Sequence, residues 1–393
     1  MDRVLYFDNA ATSWPKPPAV GEAMRAYLDD TGGSPGRSGH RMAIAAGRLV
    51  AEARMNLAEL FNVDDPSRVV FTKNVTEALN LAVLALVQPG DHVITSAIEH
   101  NSVMRPLRHL ESHGVKLTVV PCSEDGIPDL DVVEQALRRP TKLVVVTHAS
   151  NVIGNVLPIV HITKLAHSAN VPVLVDAAQT AGAYPIDMSE LGIDVLAFTG
   201  HKSLFGPTGT GGLCLAEGVE IAPLIRGGTG SASELETQPG FLPDSLESGT
   251  LNVVGIAGLN AGVRFVLDQG VETIQRHECT LNGRFLDCVH GIPGIRVYGP
   301  LDADNKVGVV SFNIAGVSPS DAGLILDQRF NIMCRIGLHC APAAHRTIGT
   351  YPVGTIRFGW SYFTRVDDID KSIDALALMV EQQEALTSGV GRG

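Results

Sequence analysis

Short apolar runs alternate with helical patterns from about residue 69 to residue 216, and this alternation constrains the fold more than any other feature. Each run is apolar on consecutive residues, which is typical of strands buried on both faces. Strands that alternate with helices predict a largely parallel sheet covered by helices on both sides. The predicted strands are VVF (69–71), HVIT (92–95), LTVV (117–120), LVVVT (143–147), VLVD (173–176), DVLAF (194–198) and GGLCL (211–215).

The pattern changes after this predicted sheet. Residues 226–250 are rich in Gly, Ser and Pro and lack a helical period, so we expect a long irregular segment. We predict a large domain over 15–258 and a smaller α+β domain formed by 1–14 and 259–393. The later elements that we expect are helices at about 255–290, 318–329 and 367–386, and strands in RVYG, VGVVSFN and TIRFGW.

Composition and charge exclude several classes of partner. The chain has 393 residues, 45% of them hydrophobic, so it can bury a large core. Its net charge of −12 disfavours nucleic acid and anionic membranes, which both need basic patches. The longest apolar run, near 81–87, is far shorter than the roughly 20 residues of a membrane span. The N-terminus lacks the layout of a signal peptide, and the six cysteines form no CxxC pair, so we expect a reduced, cytoplasmic protein.

An aspartate and a lysine stand at the ends of two consecutive predicted strands. Asp176 ends VLVD, and Lys202 follows DVLAF in the glycine-rich stretch FTGHKSLFGPTGTGG. Charged side chains at the carboxyl ends of parallel strands are well placed to meet a ligand. Pyridoxal phosphate (PLP) chemistry needs this pair, because the lysine forms a Schiff base and the aspartate keeps the pyridine nitrogen protonated. A solvated lysine and a helix-capping aspartate are the structural alternatives.

Two further segments lie beside predicted strand ends. KNVTEAL joins a strand to a helix, and backbone N–H groups at such a helix start can bind phosphate. Ordinary capping of the first turn by Thr76 and Glu77 is the alternative interpretation. His100 ends HVITSAIEH at the same sheet edge as the aspartate and the lysine, which suits stacking on a cofactor. A lone histidine is nevertheless more often structural than catalytic.

Two candidate residues lie in the second region. Cys340 follows Arg335, Gly337 and His339 in RIGLHC, and a polar, positively charged, flexible neighbourhood favours thiolate, although most buried cysteines are inert. Arg357 is the single arginine of the apolar run TIRFGW, so it either faces water or clamps a carboxylate through both oxygens. The spacing of this cysteine and its two neighbouring histidines fits no common zinc pattern, and we predict no metal site.

Together these segments resemble the class V aminotransferase family of fold-type I PLP enzymes, and within it the group II cysteine desulfurases, which include selenocysteine lyase-like members. The resemblance covers nearly the whole chain, and the shared order of its motifs argues against chance. It implies an α/β fold-type I PLP-dependent transferase, with a mostly parallel seven-stranded sheet flanked by helices and a smaller α+β C-terminal domain. The motifs that carry it are YFDNAATS, GSPGRSGHR, TKNVTEALN, SAIEHNS, HASNVIG, VDAAQ, FTGHKSLFGPTGTGGL, ESGTLN, RIGLHC and IRFGWSYF.

The resemblance implies a role for each matching residue. The catalytic residues would be Lys202 as the Schiff-base lysine, Cys340 as the sulfur-accepting nucleophile and His100, which stacks on the ring and acts as acid or base. The cofactor would be held by Asp176 at the pyridine nitrogen, Gln179 at the ring hydroxyl, and Thr76, Glu77, Thr199 and His201 at the phosphate. Thr250 would reach the phosphate of the partner subunit's cofactor, which implies a homodimer. The substrate would be bound by Asn151, Arg335 and Arg357.

The implied reaction converts L-cysteine to L-alanine and leaves the sulfur as a persulfide on the enzyme. The persulfide would then pass to an acceptor such as an iron–sulfur scaffold protein. Asn101 and Leu338 stand where relatives often carry histidine, and residues 229–248 match no characterised acceptor-docking hairpin, so the acceptor stays open. The alternatives are a selenocysteine lyase, an aminotransferase or an epimerase of the same family, and a non-catalytic scaffold. A scaffold would not need the lysine, aspartate, histidine and cysteine together.

Overall fold

A computed structural model describes residues 3–36 and 39–390 of the chain. The first part of the chain contains β1 (Leu5–Tyr6), α1 (Pro18–Ala26), a π-helical turn (Tyr27–Thr31), α2 (Arg41–Phe61) and a 3-10 turn (Pro66–Arg68). The central part contains β2 (Val69–Thr72), α3 (Val75–Leu86), β3 (His92–Ser96), α4 (Asn101–Glu111), β4 (Lys116–Val120), α5 (Leu130–Leu137), β5 (Leu143–Thr147), α6 (Ile159–Ser168), β6 (Val173–Asp176), α7 (Met188–Leu191), β7 (Val195–Thr199) and β8 (Gly211–Leu215).

The last part begins after a long segment that contains neither helix nor strand. Its elements are α8 (Val253–Gln269), α9 (Val271–Val289), β9 (Ile295–Tyr298), β10 (Val309–Ile314), α10 (Pro319–Phe330), β11 (Ile332–Met333), β12 (Arg335–Gly337), α11 (Pro342–Thr347), β13 (Thr355–Gly359) and α12 (Val366–Val390). Across the described ranges, no helix combines the length and the apolar character that crossing a bilayer requires.

The central sheet has seven strands in the order β2-β8-β7-β6-β5-β3-β4. All seven strands that the apolar runs predict are present, and only β8 runs antiparallel to its neighbours. Side chains alternate between two cores, so that Val144 and Val146 of β5 face one core while Leu143 and Val145 face the other. The first core contains residues of α2, α6 and α8, and the second contains residues of α3 and α4. Burial of both faces explains why these strands lack polar alternation.

The carboxyl ends of the sheet strands bring polar residues to one edge. Ser96, Thr147, Asp176 and Thr199 are each the last residue of a strand, and all four are buried. Gly211, at the start of β8, pairs with the last residues of both β2 and β7. A Cβ atom at this glycine would lie 2.7 Å from backbone of the turn before α3, so glycine allows the helix start to approach the edge.

A four-stranded antiparallel sheet, in the order β12-β13-β10-β9, forms the second layer of strands, and β1 pairs with β11 in parallel. Its core contains Phe312, Phe358, Trp360 and Phe285, and the N-terminal Phe7 packs among them. The N-terminal segment thus packs with the C-terminal sheet. Helix α8 continues without interruption across the predicted domain boundary at residues 258/259, so no break in the chain marks that boundary. The division into domains at residues 14/15 and 258/259 stays a prediction.

The sequence predictions differ from the structure at a few elements. The helical region predicted at about 255–290 is two helices, separated at Gly270, whose φ of 78° interrupts the helical backbone. Helices α1 and α2 and the two- and three-residue strands β1, β11 and β12 are not among the predicted elements. These strands are too short to show a pattern of their own and exist through pairing with distant segments. The irregular segment predicted at 226–250 is confirmed.

A buried ion pair attaches this irregular segment to the central sheet. Both side chains of the Arg54–Glu247 pair are at least nine-tenths buried, and a second bond joins Arg54 Nη1 to Glu247 Oε1 at 2.8 Å. Glu247 Oε1 also accepts the backbone N–H of Phe71 at 2.6 Å, and the guanidinium of Arg54 lies over the ring of Phe71. The pair therefore joins α2, β2 and the irregular segment.

Replacing Glu247 by leucine should destabilise the protein by roughly 3–5 kcal/mol, because it leaves the buried charge of Arg54 without a partner. The double variant Arg54→Met/Glu247→Leu should recover most of this loss, since it removes both charges. The free energy of unfolding from urea denaturation measures both effects. Glu52→Leu, which breaks the exposed Arg264–Glu52 pair, is the control and should cost at most about 1 kcal/mol. A loss below that size for Glu247→Leu would contradict the role of the pair.

Candidate active site

Lys202 and Asp176 meet at the carboxyl edge of the central sheet. Lys202 follows β7, and burial lowers its pKa to about 8; Asp176 acts in the opposite direction, and Arg357 adds to the lowering. Asp176 ends β6, where its Oδ1 accepts the N–H of Ala178 at 2.9 Å. Burial raises the pKa of Asp176, while this hydrogen bond and the lysine oppose the rise. The predicted pair therefore lies close enough for the two charges to interact.

His100 lies next to this pair and caps α4. Its Nδ1 accepts the backbone N–H of Ser102 at 3.0 Å and lies 2.7 Å from the Ser102 hydroxyl. The same hydroxyl is 3.5 Å from Asp176 Oδ2, so Ser102 connects the histidine to the aspartate. Burial lowers the pKa of His100 to about 3, and the cations of Lys202 and Arg335 contribute to this shift. His100 is therefore neutral at physiological pH.

Unpaired buried polar atoms mark a place for an anion beside Lys202. Among the described residues, neither Thr199 Oγ1 nor His201 Nδ1 has a hydrogen-bond partner, although both atoms are buried. The N–H groups of Val75 and Thr76, in the first turn of α3, also have no acceptor within the described part of the chain. Helix N-terminal N–H groups and buried donors without partners suit a phosphate, so these residues fit the phosphate of PLP.

Glu77 has a different arrangement from the other predicted phosphate residues. Its Oε2 accepts the backbone N–H of Lys73 at 2.6 Å, and its Oε1 lies 3.4 Å from Lys73 Nζ. Its own N–H donates to Asn74 Oδ1 at 3.0 Å. The carboxylate therefore fixes the turn before α3, and its charge would oppose an anion. We expect any contact of this turn with phosphate to come from Thr76 and the neighbouring backbone.

The N-terminal segment fixes the peptide that precedes Lys202. The carbonyl oxygen of His201 accepts hydrogen bonds from Ser13 N at 3.0 Å, from Thr12 Oγ1 at 3.1 Å and from Lys16 Nζ at 3.3 Å. Gln179 Nε2 donates to the carbonyl of Ala10 in the same segment at 3.1 Å. Gln179 is thus held beside the Lys202 turn, where its predicted contact with a ring hydroxyl stays a prediction.

Arg357 is buried on the central strand β13 of the smaller sheet, with 1% of its surface exposed. Its Nη2 donates to Asp8 Oδ1 at 2.8 Å and its Nη1 donates to the carbonyl of Asn151 at 3.0 Å, whereas its Nε has no partner among described residues. Burial lowers the pKa of Arg357 to about 10, and Asp8 opposes this shift. Arg335 lies directly opposite Arg357 on β12. Two facing guanidinium groups repel each other and favour an anion between them.

Cys340 lies beside this arginine pair. Its Sγ is 3.3 Å from Nη2 of Arg335, and the side chain is exposed. The carbonyl of Cys340 accepts the N–H of Asn101 at 2.8 Å, and the carbonyl of His339 accepts Asn151 Nδ2 at 2.7 Å. Both loop residues have positive φ angles, 58° for Cys340 and 47° for His339. The cysteine is therefore held in a fixed turn, with its thiol beside the guanidinium of Arg335.

Thr250 lies apart from the cluster around Lys202. It is exposed at the end of the irregular segment and lines a cavity of about 250 Å³ together with Lys73, Glu77 and Thr210. The structure thus brings together the predicted residues Lys202, Asp176, His100, Arg335, Arg357, Asn151 and Cys340 by direct contacts or by shared electrostatic effects. Thr250 has no contact with this cluster in the described chain, and its role at the cofactor of a second subunit stays a prediction.

Sequence reasoning missed three residues of the site. Asp8 lies in the motif YFDNAATS, but no local pattern predicts its bond to Arg357, an arginine near the other end of the chain. Ser102 carries a weak signal, because it lies two residues after a histidine that caps a helix. Glu99 is fully buried, and its Oε1 accepts hydrogen bonds from the hydroxyl of Ser96 and the N–H of Thr147. Its position directly before His100 is the only sequence feature that links Glu99 to the site.

Three kinds of comparison agree with this fold and site. A mostly parallel seven-stranded sheet with a lysine and an aspartate at its carboxyl edge is the arrangement of fold-type I PLP-dependent transferases, as the sequence predicts. The family model "Aminotransferase class-V" matches residues 5–371, and the chain belongs to this family. The prediction of fold class and family is therefore confirmed.

Within this family, the similar relatives and solved structures are cysteine desulfurases. A "Probable cysteine desulfurase" of Methanothermobacter thermautotrophicus is 35% identical over 373 residues, covering 93% of this chain and 92% of the relative. The apo structure of a cysteine desulfurase from Thermococcus onnurineus has a TM-score of 0.90 and 32% identity, over 96% of this chain and 95% of that one. The cysteine desulfurase CsdA of Escherichia coli, in an S-sulfonic acid form, has a TM-score of 0.86 and 30% identity over the same shares.

The carboxyl group of Glu99 should make the free energy of unfolding fall as the pH rises from about 4.5 to about 8. Burial raises its pKa from 4.5 to about 8, so the folded protein holds a proton in this interval that the unfolded chain has lost. One such group contributes a slope of at most about 1.4 kcal/mol per pH unit. Glu99→Gln cannot titrate and should reduce the slope, measured by urea denaturation at several pH values.

The exposed residue Glu59 on α2 provides the matched control, and Glu59→Gln should leave the slope unchanged. Glu278 on α9 is also buried with a pKa raised to about 8, so Glu278→Gln should reduce the slope independently. The assignment fails if Glu99→Gln and wild-type protein have the same dependence of stability on pH.

Proposed function

We propose that this protein is a PLP-dependent cysteine desulfurase that transfers the sulfur of L-cysteine to Cys340. The observation that carries the proposal is the position of the exposed Cys340 thiol, 3.3 Å from Arg335 and beside the buried Arg357. Binding an amino acid and labilising its α-proton requires a lysine and an arginine but no thiol. Removal of sulfur from the substrate additionally requires a nucleophilic cysteine, and Cys340 lies at the end of the site that would bind the carboxylate.

The residues that would hold PLP are those whose polar atoms are buried beside Lys202. Thr199, His201 and Thr76 would bind the phosphate, Asp176 the pyridine nitrogen, Gln179 the ring hydroxyl, and His100 would stack on the ring. When bound, PLP supplies an electron sink that makes the α-proton of an amino acid labile. The raised pKa of Asp176 has burial as its main cause, and a cationic pyridinium partner would stabilise its charged form.

The substrate would be oriented by its carboxylate. Arg357, Arg335 and Asn151 surround the place where two guanidinium groups face each other, and an α-carboxylate would relieve their repulsion. Lys202 would then remove the α-proton, because a pKa of about 8 suits a general base that works near neutral pH. His100, whose imidazole lies within the electrostatic reach of Lys202, would be the second acid or base of the site, as the resemblance implies.

The charges of the site suit both of these ligands. Burial accounts for most of the lowered pKa of Lys202 and of His100, and the cations at Arg335 and Arg357 lower both further. The excess of positive charge at the arginine end favours a substrate carboxylate, while the end that contains Asp176 favours a protonated pyridine ring. The amino acid and the cofactor would thus meet complementary charges at opposite ends of the site.

The thiolate of Cys340 would attack the substrate sulfur. A sulfur–sulfur bond forms on the enzyme as the carbon–sulfur bond breaks, and the electron pair of the broken bond stays with the three-carbon fragment. Protonation of this fragment by Lys202 or His100 gives alanine, and the sulfur remains as the persulfide of Cys340. Transfer of the persulfide sulfur to a thiol acceptor then regenerates the thiol.

All six cysteines are unpaired, which agrees with a place in the reducing cytoplasm.

We also propose that the enzyme is a homodimer. The irregular segment that contains Thr250, together with the two residues before it, exposes several large apolar side chains, including Leu224, Ile225 and Phe241, with 43–52% of their surface accessible. Large exposed apolar patches mark protein–protein contacts. A second copy of the chain would cover them and would bring Thr250 to the phosphate region of the partner subunit.

Replacing Cys340 by alanine should lower alanine formation from L-cysteine roughly 10²-fold or more, because no thiolate is left to accept the sulfur. The assay measures alanine from the PLP-loaded enzyme with dithiothreitol as the final acceptor, and mass spectrometry measures the persulfide. Activity on L-selenocysteine should persist, since that substrate releases its selenium without such an attack. Cys279→Ser, at a half-buried cysteine of α9, is the control and should keep both alanine and persulfide. Alanine formation without persulfide on Cys340 would refute the proposed nucleophile.

Mixed dimers should test the position of Thr250. Lys202→Ala and Thr250→Val subunits are each expected to form impaired homodimers. In a mixed dimer one site carries both substitutions and the other has neither. Co-expression should therefore restore about a quarter of the wild-type rate of alanine formation, on statistical pairing. If Thr250 acted within its own subunit, both sites would carry one defect and mixing would restore nothing.

A further inference from the structure

We propose that the groove between α4 and α11 binds an acidic segment of the protein that accepts sulfur from Cys340. The groove has a volume of about 480 Å³, and its walls come from the two helices that begin on either side of the nucleophile. This inference rests on the proposed desulfurase function and names the chemistry of the partner of the same site.

The groove begins where Cys340 lies. Asn101, the first residue of α4, donates its N–H to the carbonyl of Cys340 at 2.8 Å, and α11 begins two residues after the cysteine, at Pro342. Thr347, at the other end of α11, donates its hydroxyl to the carbonyl of Ala97 at 3.3 Å. A chain segment in the groove would thus lie next to the turn that carries the exposed thiol.

The groove is basic in an acidic protein. Arg105, Arg108 and Arg346 line it, and none of the lining residues is acidic. Arg105 and Arg108 are three residues apart on α4 and share one face of the helix. Arg108 pairs with Glu111 outside the groove, whereas Arg105 and Arg346 have no carboxylate partner among the described residues. Since the whole chain carries a net charge of −12, an acidic partner is repelled overall and needs a local positive patch to bind.

The floor of the groove is apolar. It is formed by Ala97, Met104, Val119, Pro342 and Ala343. An apolar floor with a cationic rim suits a polypeptide that combines acidic and apolar side chains. It suits a nucleic acid less, because extended phosphate contacts would meet the net negative charge of the rest of the protein.

The groove is separate from the place that binds the substrate carboxylate. Arg357 and Arg335 lie on β13 and β12, and neither lines the groove. L-Cysteine therefore has its own cations, and the arginines of the groove are left for another anion. The acceptor must reach Cys340 from outside, because the thiol is exposed and its turn is fixed by hydrogen bonds.

Two synthetic peptides can test this proposal. One carries a single cysteine flanked by Asp, Glu and leucine residues, and the matched peptide has Asn and Gln in place of the acids. The PLP-loaded enzyme is first incubated with L-cysteine so that Cys340 carries a persulfide. Mass spectrometry then follows sulfur transfer from Cys340 to each peptide. The acidic peptide should react about tenfold faster at low ionic strength, and added salt should reduce this advantage.

Charge reversal locates the binding site. The double variant Arg108→Glu/Arg346→Glu should lose the preference for the acidic peptide while alanine formation with dithiothreitol continues at the wild-type rate. The control Arg139→Glu/Arg276→Glu makes the same change of charge at two exposed arginines outside the groove and should keep the preference. Circular dichroism checks that both variants are folded.

The possible results separate the two proposals. If wild-type enzyme forms neither alanine nor persulfide with dithiothreitol, the proposed function fails. If it forms both but treats the two peptides alike, or if the control variant loses the preference as fully as the groove variant, the groove proposal is overturned. Displacement of the acidic peptide by a single-stranded oligonucleotide at equal charge would also overturn it, because the groove would then bind polyanions generally.

Discussion

The buried guanidinium of Arg357 joins three parts of the chain that are far apart in sequence. It lies on β13 of the smaller sheet, it pairs with Asp8 in the N-terminal segment, and it donates to the carbonyl of Asn151 after β5 of the central sheet. A charge this deeply buried costs several kcal/mol unless it is paired and hydrogen-bonded. The geometry that satisfies it therefore also fixes how the smaller sheet meets the carboxyl edge of the larger one, which is where Lys202 lies.

The same N-terminal segment continues from Asp8 to the turn before Lys202. Its residues Thr12, Ser13 and Lys16 converge on the carbonyl of His201, so the segment connects the buried Arg357 to the turn that carries Lys202. Each of these contacts orients a reactive side chain without touching the reacting atoms. Such supporting contacts hold a site in place before the ligand arrives, which lowers the cost of reorganisation during the reaction.

Parallel strands explain why the sequence predicts one half of this site better than the other. The consecutive apolar runs identify the strands, and parallel pairing then brings the residues after β3, β6 and β7 to one edge, so His100, Asp176 and Lys202 meet by topology alone. No comparable topological rule predicts the contacts of Arg335 and Arg357 at the other end of the site. Whether Arg335 faces Arg357 depends on the register of a three-residue strand, and the bond from Asp8 to Arg357 spans 349 positions. Long-range pairing of this kind follows from packing and leaves no local pattern.

The backbone at Cys340 has an uncommon conformation that hydrogen bonds hold in place. Two consecutive residues with positive φ cost roughly 1–2 kcal/mol each for side chains other than glycine, and this cost is offset by fixed hydrogen bonds. Asn101 holds the carbonyl of Cys340, Asn151 holds the carbonyl of His339, and Ala341 donates to the carbonyl of Leu338. A thiol on such a turn does not travel on a long loop between substrate and acceptor. In the proposed function, the substrate would therefore reach the thiol from the side of Lys202, and the acceptor would reach it from solvent, near the groove between α4 and α11.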